Sequence, residues 1–170
     1  SVLSALADGY RLIDTANAYV NEKAVGRAMK RSGLQREEIF LETKIWPSFY
    51  EQADAVDKTL TRLGTEYIDL LLIHQPAGNY VAGYRLMEAA YKAGKVRAIG
   101  LSNFNAAQIA EILSICEVKP TVLQTELHPY HQEKQLKAML AEKGIVPQAW
   151  DPLGHGDKAL LGGTPFCELG

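Results

Sequence analysis

Four residues stand out by chemistry and by position: Asp14 closing the run RLID, Tyr19 five residues later, Lys44 closing FLETK, and His74 closing LLIH. Each ends or closely follows an apolar run rich in β-branched residues, so each is expected at or just beyond the end of a strand. A phenol with an ordinary pKa of about 10 is a sluggish proton donor at neutral pH, but a nearby ammonium favours the phenolate. Lys44 would supply that ammonium. A buried lysine tends to lose its own proton and needs a carboxylate to keep it charged, which Asp14 can provide. His74 could then hydrogen-bond an oxygen of a bound molecule and orient it. Spacing alone also allows a plainer arrangement, with Asp14 and Lys44 in an ordinary salt bridge and Tyr19 and His74 lining a rim.

These residues need a scaffold that brings several strand ends to one place. Strand-like runs begin near Tyr10, Ile39, Tyr67, Val96, Thr121 and Ile145, roughly 24 to 29 residues apart. Helical apolar spacing fills the intervals Glu22 to Arg31, Ala53 to Leu63, Val81 to Lys92, Ala107 to Cys116 and Gln132 to Lys143. Gly33, Gly64, Gly94 and Gly144 follow such segments, where a left-handed residue can close a last turn. Asn21 and Glu22 stand where a helix would begin, an acid being favoured at that end. This is the βαβ pattern, which leaves an open doubly wound sheet or an arc of a closed barrel. No GxGxxG follows any strand, which argues against a dinucleotide-binding sheet. Asp14, Lys44, His74, Ser102, Asn103, Glu126, His128 and Trp150 all fall at or just past carboxyl ends of different strands, the face on which a (β/α)8 barrel assembles a site.

Composition narrows the classes. The 170 residues hold 18 basic and 20 acidic side chains, a formal charge of −2, which gives no reason to expect nucleic acid. The longest apolar stretch, Ile68 to Ile73, is interrupted by Asp69 and is far short of the roughly 20 residues of a membrane span. The opening SVLSALADG does not read as a secretory leader. Cys116 and Cys167 cannot build a disulfide framework, and they read as reduced thiols of a cytoplasmic protein. His128 and His131 in HPYH stand three apart but next to a proline and without a converging cysteine, so no metal is expected. Lys134, Lys137 and Lys143 read as a solvated helix face.

Two long segments carry a family resemblance. GYRLIDTANAYVNEKAVG, Gly9 to Gly26, resembles the first signature of the aldo-keto reductases, and LSNFNAAQIAEILSICEVKP, Leu101 to Pro120, resembles the second. TKIW, YIDLLLIHQP, GKVRAIGLSNF, QTELHPY and AWDPLGHGD follow in matching order, so the resemblance runs through nearly the whole chain. It implies a (β/α)8 barrel and reversible reduction of an aldehyde or ketone with NADPH, NADH remaining open. The catalytic tetrad would be Asp14, Tyr19, Lys44 and His74, with Tyr19 the proton donor. Ser102, Asn103 and Gln124 would meet the nicotinamide carboxamide, and Trp150 would stack on its ring. Leu153, Gly154 and Gly156 would fold over the pyrophosphate. Trp46, with Tyr19 and His74, would wall the substrate pocket, and Phe49 and Tyr50 are candidates for the same wall or are loop aromatics.

The chain departs from the family at Asp151, where serine is usual after the stacking aromatic; a carboxylate there would repel a pyrophosphate. The short loop Gln75-Pro76-Ala77-Gly78-Asn79 is more similar to bacterial diketo-gluconate reductases than to steroid-handling members. Two other readings compete: a non-catalytic barrel kept as a binding module, and an aldolase forming a Schiff base on Lys44, which would need a lysine without a firm carboxylate partner. Length is the last departure. One domain averages about 150 residues, but a (β/α)8 barrel typically takes about 250. Residues 1–170 are therefore expected to be one barrel domain represented by its second through seventh strands, a portion of a longer reductase.

Overall fold

A computed structural model describes residues 1–156. Cys167 and the end of the 1–170 domain lie outside the described residues. Helix α1 (Val2–Ala7) leads into five strand–helix units. These run β1 (Leu12–Asp14), α2 (Glu22–Arg31), β2 (Phe40–Ile45), α3 (Ala55–Leu63), β3 (Ile68–Ile73), α4 (Tyr80–Lys92), β4 (Val96–Ser102), α5 (Ala106–Ile115), β5 (Val122–Glu126) and α6 (Lys134–Lys143). A last strand, β6 (Val146–Trp150), follows. All neighbouring strands are parallel and lie in chain order, β1 to β6.

The helix limits follow from their caps. Residues 53, 54, 132 and 133 stay outside the helices they were expected to open: Asp54 and Glu133 hold cap positions, and Glu133 has a φ of 44°. Asn79 Oδ1 accepts from the Ala82 amide over 3.1 Å to start α4, and Asn105 with Gln108 forms a reciprocal capping box at α5. Gly64 and Gly144 close α3 and α6 at φ of 66° and 63°, a region costly for any residue with a Cβ.

Alternation along the strands divides the chemistry. Leu41, Ile45, Leu71, Ile73, Ile99, Leu101 and Leu123 face the helices and join one buried cluster with Met29, Leu63, Met87, Ile109, Ile112 and Leu140. On the opposite face stand Asp14, Glu42, Lys44, Gln124 and Gln148. β3 is buried along its whole length, as the continuous run IDLLLI requires of a strand covered on both sides.

Polar contacts reveal the curl of the sheet. At about 4.8 Å per strand, a flat sheet would hold β1 and β5 about 19 Å apart. Gln124 on β5 nonetheless donates to Asp14 on β1 over 3.1 Å. The six strands are therefore wound into a curled arc of a (β/α)8 barrel, with the polar face inside. Among the described residues β1 and β6 do not pair with each other, so the arc is open.

Candidate active site

The four residues singled out by chemistry converge at the carboxyl ends of β1, β2 and β3. Lys44, only 2% exposed, is ion-paired with Asp14 and also donates to the Thr15 carbonyl over 3.3 Å. Its Nζ lies 5.5 Å from the centroid of the Tyr19 ring. Tyr19 ends a 3-10 turn, Asn17–Tyr19, and the next residue, Val20, holds a φ of 56°. Asn17 Oδ1 accepts from the Trp46 amide over 3.0 Å, tying this turn to the end of β2. The His74 ring meets Tyr19 edge-on at 5.7 Å and Trp46 edge-on at 4.9 Å.

Burial and the Lys44 charge push the His74 pKa down from 6.5 to about 4. The ring is therefore neutral near pH 7, and its Nδ1 is buried without a hydrogen-bond partner. A neutral imidazole with a free Nε2–H would suit it to donate to a substrate oxygen rather than to carry charge. Lys44 is held by Asp14, the firm carboxylate partner that a Schiff-base lysine would lack.

The next strand ends supply amides, a hydroxyl and an indole. Ser102 ends β4 and is 1% exposed. Asn103, at a φ of 65°, donates to Ser102 Oγ over 3.1 Å and to the His74 carbonyl over 3.3 Å. Its Oδ1 accepts from Trp150 Nε1 over 2.7 Å, so the ends of β3, β4 and β6 are joined through one side chain. Gln124 lies deeper, its Nε2 shared between Asp14 and Glu42. Asp151 holds a φ of 55°, Leu153 is exposed, and Gly154–Gly156 form a 3-10 turn.

Of the two aromatics left open between pocket wall and loop, Phe49 stays half-buried in its loop and Tyr50 turns into the core. Tyr50 is 2% exposed, and its hydroxyl donates to the Gln75 carbonyl over 2.7 Å. Its ring fills the space where a Cβ on Gly83 would lie 2.7 Å away, so it packs under α4 as core. Phe49 lines a cavity of about 400 Å³ with Asn17, Val20, Glu22, Lys23 and Arg62, a lining that includes neither His74 nor Trp46. His128 and His131 pair separately with Glu126 and Glu133, at 3.1 and 3.0 Å. Among the described residues no three potential ligands cluster for a metal.

Glu42 was not anticipated as a site residue. It is fully buried, and desolvation together with the Asp14 charge raises its pKa to about 7. Period-two spacing from Lys44 places it on the same inner face, which is the signal that could have found it.

Comparison with known proteins agrees with this architecture. The model of the "Aldo/keto reductase family" matches residues 2–158, and the chain belongs to that family. A glyoxal reductase of Bacillus subtilis is 43% identical over 160 residues, covering 92% of this chain and 58% of that protein. A solved aldo-keto reductase from a Medee basin deep-sea metagenome superposes with a TM-score of 0.95 at 41% identity, covering 99% of this chain and 64% of that one. A solved putative 2,5-diketo-D-gluconic acid reductase B gives a TM-score of 0.87 at 34% identity, covering 92% and 59%. The chain thus spans about 58% of the length of the first curated relatives it matches.

Proposed function

We propose that this chain carries the proton-transfer centre and the nicotinamide end of a carbonyl reductase, which reduces a small aldehyde or ketone to an alcohol. The observation that carries this reading is the convergence of an ion-paired buried lysine, an exposed tyrosine and a neutral histidine on one mouth. Asp14 keeps Lys44 charged inside the barrel. The Lys44 ammonium favours negative charge on Tyr19 as its proton leaves for the carbonyl oxygen. His74, neutral, donates to the same oxygen and holds it near the phenol. Trp46 walls the substrate side of the His74 ring.

The residues present fit a nicotinamide dinucleotide. Ser102, Asn103 and Gln124 form an amide-and-hydroxyl set suited to a carboxamide, and Trp150 presents an aromatic plane beside it. Leu153, Gly154 and Gly156 would lie along the pyrophosphate. Bound there, the cofactor supplies the hydride. NADPH is the proposed form, supported by the usual preference of the family, with NADH the alternative. A barrel aldolase is disfavoured by the Lys44–Asp14 pair, and a non-catalytic module by the complete set of four groups.

A small-molecule carbonyl partner and a cytoplasmic site of action belong to the same reading. Among the described residues no helix is long and apolar enough to cross a membrane. The test is a panel of small aldehydes and ketones with NADPH consumption followed optically in the intact protein. Absence of turnover across the panel, with nucleotide bound, would overturn the enzymatic reading.

A further inference from the structure

Glu42 sits beneath the Asp14–Lys44 pair, takes no part in the proton transfer proposed above, and is bound on both carboxylate oxygens. Gln124 Nε2 donates to Glu42 Oε1 over 2.7 Å and to Asp14 Oδ2 over 3.1 Å, spending both amide hydrogens on two carboxylates. Gln148 Nε2 donates to Glu42 Oε2 over 2.8 Å, although this leaves the Gln148 Oε1 buried without a partner. An amide turned toward Glu42 at that cost marks the carboxyl group as what sets the orientation of its neighbours.

We infer that Glu42 is a positioning residue, which locks the Gln124 amide with Nε2 inward and Oε1 turned away from the carboxylates, and couples that orientation to Asp14. The inference rests on the nicotinamide reading of Gln124. With Nε2 committed, Gln124 can offer a nucleotide only an acceptor, which matches the NH2 group of a carboxamide. The charges acting on Glu42 are Asp14 from β1 and Lys44 from its own strand. β5 and β6 face it with the neutral Gln124 and Gln148, and its register partner on β3 is Leu70. Its pKa, raised to about 7, makes the lock pH-dependent, because a protonated carboxyl group loses acceptor strength on one oxygen.

The test uses the intact protein without nucleotide first. The Gln124 side-chain ¹⁵N resonance, followed from pH 5.5 to 8.5, should move through a transition near 7 that Glu42→Gln abolishes. NADPH affinity of Glu42→Gln should fall about five- to tenfold, the scale of one net hydrogen bond, with a melting profile that matches the wild type at pH 5.5, where Glu42 is already neutral. Gln148→Met removes a hydrogen bond that lowers the Glu42 pKa, so it should shift the transition to higher pH; this variant serves if Glu42→Gln fails to fold. A Gln124 resonance insensitive to pH, or a transition unmoved by either variant, would overturn the inference. Wild-type affinity in Glu42→Gln would do the same. A normal transition in a protein that binds no nucleotide would instead remove the nicotinamide reading and leave the lock on Gln124 standing.

Discussion

The Lys44 ammonium lies 5.5 Å from the centroid of the Tyr19 ring, with the lysine 2% exposed and the tyrosine 52% exposed. A charge held out of water thus sits beside a phenol that solvent can reach. Removing only the phenol oxygen should remove the proton and little else. Tyr19→Phe is expected to lower aldehyde reduction by about 10²- to 10⁴-fold, the usual worth of a positioned acid, while NADPH affinity by fluorescence titration stays within about twofold. Near-normal turnover would sink the role of Tyr19.

The ion pair can be separated from its structural contribution. Asp14→Asn leaves a buried ammonium with a weaker partner, and it should cost about 2 kcal/mol, less than a fully buried pair because the Asp14 side chain is 33% exposed. Lys44→Met replaces the charge with an apolar chain of similar length and should restore much of that stability in the Asp14→Asn background without restoring the rate. Denaturant melts and steady-state rates on the single and double variants check both halves. Equal rate losses with no stability recovery would contradict the argument.

His74 titrates at about 4 in the folded chain against 6.5 for a free imidazole. Between those values the unfolded chain binds more protons, so stability present above pH 6.5 is lost as the pH falls toward 4, on the order of 1–3 kcal/mol. Glu42 has the opposite sign: its pKa is raised from 4.5 to about 7, so its contribution is present below 4.5 and lost as the pH rises through 7. The imidazole NMR signals of His74 should therefore show no transition between pH 5.5 and 8. A transition near 6.5 would show that neither burial nor the Lys44 charge lowers the His74 pKa, with about a quarter of the rings charged at pH 7, and would count against a strictly neutral donor.

Much of this arrangement is legible in the order of the residues alone. Period-two runs place Asp14, Lys44 and His74 at strand ends, and the helices begin within two residues of the limits that their apolar spacing sets. Tyr50 shows where reading stops: an aromatic in a loop can face the mouth or the core, and only the space left by Gly83 decides it. Glu42 shows another gap. Its neighbours across the barrel, Gln124 and Gln148, lie 82 and 106 residues away in sequence, so no local pattern signals the contact.

Val20 has the left-handed backbone that β-branched residues adopt least readily, and its side chain is 92% exposed, so little packing offsets the strain. Val20→Gly should raise stability by about 0.5–1 kcal/mol after the added freedom of the unfolded chain is subtracted. Thermal melts at matched pH check it. A lower melting temperature would show that the valine side chain stabilises the Tyr19 turn more than its backbone strains it.

Asp151 bears on cofactor affinity. Its place after Trp150 puts a carboxylate where the proposed pyrophosphate would run, and its φ of 55° restricts what can replace it. Serine would remove the charge but tolerates the left-handed region less well than asparagine, so Asp151→Asn isolates electrostatics from backbone strain. Repulsion between partly exposed groups is modest and screened, so the gain in NADPH affinity should be about two- to fivefold in low salt and shrink as ionic strength rises. A fluorescence titration at two salt concentrations reads both effects. An affinity unchanged at low salt would mean that the Asp151 carboxylate is turned away from the phosphates. A gain that did not shrink with salt would assign the improvement to backbone fit rather than charge.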